Sequence, residues 1–140
     1  TIGDAHFMTF PTATAAIHGI LTIMGHWDKY IAETGYPTPM ALGAHIADVY
    51  IFRSCIYGDQ INKAALIESL CRSAHSELDR SVALISDQVY RESQVTQSEC
   101  EIIEIDPGII DRRMQGRFKS TFAEGEPLFE ILPASPATDE

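Results

Sequence analysis

Cysteine is scarce in this chain. Its 140 residues hold three, Cys55, Cys71 and Cys100, odd in number and widely spaced. No C-x-x-C pair occurs, which argues against a disulfide framework or a zinc knuckle and for a reducing cytoplasm. Positive charge is scarce too: ten Lys and Arg stand against twenty Asp and Glu, a formal net charge of −10. Such a field works against nonspecific capture of polyanions or of a membrane surface. A DNA reader survives this argument, because only its contacting face must be basic. Long hydrophobic runs are missing, since His18, His26 and Asp28 interrupt them, and no basic n-region opens the chain. Neither a spanning helix nor an export signal is expected, and the domain reads as soluble.

Catalytic signatures are absent as well. There is no G-x-G-x-x-G and no G-x-S-x-G, and the run Gly116 to Thr121 lacks the glycine a phosphate loop needs before its lysine. The five histidines (His6, His18, His26, His45 and His75) include no pair four residues apart, and no H-E-x-x-H occurs. The sequence therefore predicts no enzyme, no cofactor and no metal.

What is present is helical periodicity. Pro11 opens a stripe of Ile17, Ile20, Leu21, Met24, Trp27 and Ile31, closed by Gly35 and Pro37, which predicts a long amphipathic helix over 11–34. Thr38-Pro39 restarts the chain as cap and first position, and Leu42, Ile46, Val49, Tyr50, Phe52 and Ile56 predict a second helix to Gly58. Asn62 caps a short third helix to about Cys71. Residues Arg72 to His75 read as a turn, and Ser76, Leu78, Val82 and Ile85 as a fourth helix. Two short strands, 89–92 and 101–105, follow around a polar loop, and Asp106-Pro107 opens a last helix with Ile110, Met114, Phe118 and Phe122. Residues 127–140 read as an acidic, partly disordered tail beginning with an apolar patch, beyond a single domain of 1–126.

A helix–turn–helix at 62–86 with a wing at 89–106 resembles the multiple-antibiotic-resistance regulator (MarR-like) family of winged helix-turn-helix transcription factors. The local match runs from Leu70 to Arg91 through Ser73, Ser76, Leu78, Arg80, Val82, Ile85 and Val89. Gln88 stands where the family usually has glycine. The Asp-x-Arg of the family's wing tip is matched only by Asp111 to Arg113, inside the predicted last helix. The resemblance implies a mainly α fold with a small β-wing, and long N-terminal and C-terminal helices forming a homodimer. It also implies a cytoplasmic transcriptional regulator on double-stranded DNA, with the second helix of each motif in the major groove.

Eight of the ten basic residues fall between 60 and 119, a window with a net charge of −2 against −8 for the rest of the chain. On that reading Arg72, Ser73, Ser76 and Arg80 face the major groove, and Arg91, Gln94, Thr96 and Gln97 meet backbone or minor groove from the wing. The plainer alternative makes these a cap, an ST-turn, solvated arginines and an ordinary hairpin. His26, Trp27, Tyr30 and Phe52 offer a pocket for a small aromatic effector, with core packing of aromatics as the alternative. Two rival functions stay open: an acidic helical protein–protein interaction module without DNA binding, and a small-ligand carrier or enzyme.

Overall fold

The computed structural model describes residues 8–35, 39–47, 50–52, 55–57, 61–78, 81–95, 99–105 and 126–133. Its first helix, α1, spans Ala13–Thr34. Thr12 caps it by accepting the Ala15 N–H at 3.0 Å, and Gly35, at φ 71°, ends it in the left-handed conformation while donating to the Ile31 carbonyl. Ile17, Ile20 and Met24 form its buried stripe.

Beyond α1 the architecture departs from a mainly α winged helix. The chain forms β1 (Ala41–Ala44), β2 (Tyr50–Phe52), β3 (Cys55–Tyr57), α2 (Ile61–Leu78), β4 (Val82–Ser86), α3 (Asp87–Glu92), β5 (Cys100–Ile105) and β6 (Leu128–Pro133). A four-stranded mixed sheet runs in the order β1-β4-β6-β5, and β2 and β3 make a separate antiparallel pair. β1 and β4 are parallel, with Ala44 opposite Ile85; β6 is antiparallel to both β4 and β5.

Helices cover both faces of the sheet. Along β4, Ala83 and Ile85 join Ile17, Ile20 and Met24 of α1, Val89 of α3, and Phe129 and Ile131 of β6. Val82 and Leu84 point the other way and join Ile67, Leu70 and Cys71 of α2 with Leu128. Each wholly buried aliphatic side chain of this kind adds about 1.5–3 kcal/mol of burial free energy. At the start of the parallel pair, Ser81 Oγ donates to Asp28 Oδ1 at 3.0 Å and accepts the Met40 N–H at 2.9 Å. That joins α1 to the entries of β1 and β4.

The corrections share physical causes. Residues 62–86 are not two crossed helices: α2 runs unbroken through Arg72-Ser73-Ala74-His75, where neither glycine nor proline stops it, and the expected recognition helix gives way to β4. Every residue of β4 is buried. A strand covered on both faces is apolar throughout and carries no period to tell it from a buried helix. The same confusion turned β1 into part of a predicted helix. The expected first wing strand is α3, because Ser86 caps it and Asp87 complements its first turn. The expected strand at 101–105 forms as β5. The apolar start of the supposed tail is β6, in the interior of the sheet. Residues 107–123, the predicted C-terminal dimerisation helix, lie outside the described residues. Among those residues no helix is long and apolar enough to cross a membrane.

Candidate functional site

The polar constellation most clearly built by the fold lies at the carboxyl ends of β1 and β4. Their parallel register ends on Ala44 opposite Ile85, so the next residues, His45 and Ser86, fall side by side. His45 Nδ1 lies 2.8 Å from Ser86 Oγ. With the imidazole protonated at Nε2, the Ser86 hydroxyl donates to Nδ1, and its oxygen still accepts the Val89 N–H at 3.4 Å as the cap of α3. Ser86 is 1% exposed and His45 half-buried. A hydroxyl so enclosed and doubly engaged is a support, not an accessible nucleophile: it fixes the plane of the imidazole, which is the more exposed of the two.

After β1, Ile46 packs with the α1 side of the sheet before the chain enters β2; α2, further on, covers the other face, and the chain after β4 enters α3, which lies against α1. Open α/β sheets commonly place their ligands at the carboxyl ends of neighbouring parallel strands.

Of the residues expected to read DNA, only Arg91 and Gln94 have described side chains. Arg72, Ser73 and Ser76 belong to the last turns of α2, and their side chains, like all of Arg80, Thr96 and Gln97, lie outside the described residues. Arg91 is exposed on α3, where its Nε donates to Asp87 Oδ2 at 2.9 Å, one helical turn earlier. Gln94 donates its backbone N–H to Thr14 Oγ1 at 2.8 Å, a contact that docks the chain after α3 onto α1.

Of the expected effector residues, Trp27 and Tyr30 stack on each other with ring centroids 5.3 Å apart. His26 lines an open depression of about 260 Å³ with Leu21, Thr22, Gly25 and Lys29, all from α1 alone. Phe52 lies in β2, and its side chain is outside the described residues. Among the described residues no three His, Cys, Asp or Glu gather to hold a metal. Burial pushes the Cys71 thiol far above its ordinary range, with the Glu68 and Glu130 carboxylates adding to the rise, while the thiol donates to the Leu42 carbonyl at 2.7 Å. Burial, and then Glu99, also raise Cys100.

His45 and Ser86 escaped the sequence reading, although a signal existed. Val82 to Ile85 followed by Ser86-Asp87 is an apolar run ending in a helix cap, the signature of a buried strand feeding a helix. No protein-family model, curated protein or solved structure matches the chain.

Proposed function

We propose that this chain is a small-ligand-binding α/β domain whose ligand seats at the carboxyl ends of β1 and β4 against His45. The observation that carries this reading is the 2.8 Å contact between His45 Nδ1 and the buried Ser86 Oγ at the carboxyl ends of two neighbouring parallel strands. The buried Ser86 hydroxyl fixes the plane of the imidazole, and fixed polar groups confer orientation on a small polar ligand. The helix-turn-helix route to DNA has lost its scaffold, because the expected recognition helix begins inside α2 and its residues from Val82 on form the buried strand β4.

Native mass spectrometry of freshly purified protein tests the reading. An adduct of defined mass should appear in the wild type and vanish in His45→Ala, with far-UV circular dichroism unchanged. A ligand-free mass, together with imidazole NMR signals of His45 that stay put across a library of carboxylates, phosphates and nucleosides, would sink it.

A further inference from the structure

We propose that the outer edge of β5 takes up an extended basic peptide segment by strand addition. β5 ends the sheet order and pairs on one side with β6, and no second neighbour flanks it among the described residues. Edge strands offer a row of backbone donors and acceptors to an incoming chain. The side chains along this edge define what fits. Glu101 and Glu104 are exposed, and Ile103 keeps 42% of its surface in solvent. Alternation places Glu101 and Ile103 on one face of the strand and Glu104 on the other. A partner strand thus meets a carboxylate on each face, three residues apart, with an apolar side chain beside one of them. The complementary segment carries Lys or Arg three residues apart and an aliphatic residue opposite Ile103.

A second copy of β5 fits badly. Opposite residues of an antiparallel pair share a face, so self-pairing must centre on a residue. Registers centred on Glu101 or on Glu104 set that residue against itself, and registers centred on Ile102 or on Ile103 set Glu101 or Glu104 diagonally next to its own copy. Like charges directly opposite one another repel. The same carboxylates that discourage self-association select a cationic strand.

The test is fluorescence anisotropy with a labelled octapeptide carrying two lysines three apart around an isoleucine, against its glutamate-for-lysine counterpart. The lysine peptide should bind, several-fold more weakly at high salt. The double variant Glu101→Lys/Glu104→Lys should lose it by about tenfold or more and gain the glutamate peptide. If the double variant fails to fold by circular dichroism, Glu104→Lys alone gives the same comparison with half the charge change. Hydrogen exchange separates strand addition from simple attraction: β5 amides should gain protection with the peptide and none with spermine. No binding, binding indifferent to charge reversal, or binding without amide protection each overturns the proposal. His45→Ala should leave peptide affinity unchanged, so this surface and the ligand site can fail independently.

Discussion

Gly43 and Glu68 approach so closely that a Cβ on the glycine would lie 2.5 Å from the Glu68 amide nitrogen and 3.0 Å from its Cα. The obstacle is helix backbone, which cannot rotate away as a side chain does. Gly43 is the point at which α2 settles onto β1. Gly43→Ala must push the helix outward, and overpacking of this kind costs about 1–3 kcal/mol. Urea denaturation should show that loss as a lower midpoint. An unchanged midpoint would mean that α2 does not sit on β1 as described.

Ser86 holds two jobs at once, capping α3 and anchoring His45. Ser86→Ala should destabilise the fold by about 1–2 kcal/mol, most of it the lost cap. His45→Ala leaves that cap in place and should cost less. In the double-mutant cycle the two losses should fail to add, with a coupling of at least about 0.5 kcal/mol. Strict additivity in thermal or urea unfolding would deny the contact.

The buried thiols set a pH dependence with a definite sign. In the unfolded chain a cysteine ionises near pH 8.5. In the native protein burial holds the Cys71 thiol protonated well above that, so the unfolded state binds fewer protons once the pH exceeds the unfolded value. Stability is complete below about pH 8.5 and falls above it, approaching about 1.4 kcal/mol per pH unit for such a thiol. Urea midpoints at pH 7 and pH 10 should differ accordingly, and the difference should shrink in Cys71→Ala. Cys71 and Cys100 should also resist iodoacetamide until the chain unfolds. Rapid labelling of either in native conditions would contradict their burial.

Arg91 makes an exposed ion pair with Asp87 on one short helix, and pairs of that sort contribute little. Arg91→Ala should move stability by less than about 0.5 kcal/mol. In a gel shift against duplex fragments, the mobility pattern should be the same for wild type and variant. A specific shift lost in the variant would restore a nucleic-acid role for this residue.

How much of this was legible in the sequence depended on burial. α1 could be read because one face is wet and the other dry, so Ile17, Ile20 and Met24 recur at helical spacing up to a terminal glycine, while the cap falls on Thr12, one residue past the Pro11 expected to open the helix. β5 was legible for the corresponding reason: as an edge strand it keeps glutamates among its isoleucines. β1 and β4 were not, because neighbours on both faces erase any period from Ala41 to Ala44 and from Val82 to Ile85. β6 hid between Pro127 and Pro133, which read as punctuation in a tail. The short α3 shows a local cap outweighing the β propensity of Val89 and Tyr90. The pairing of His45 with Ser86 depends on a parallel register that joins residues 41 positions apart, which no local pattern announces.

The order β1-β4-β6-β5 has one more consequence, for the newborn chain. As residues emerge in sequence, β1 and β4 can find each other once α2 has crossed between them, but β5 arrives before the strand that must separate it from β4. Until β6 is synthesised, β5 and the far side of β4 expose unmated backbone to solvent or to a chaperone. Completion of the sheet is therefore an insertion and not an extension, and contacts closed so late and over such sequence distance make for slow folding.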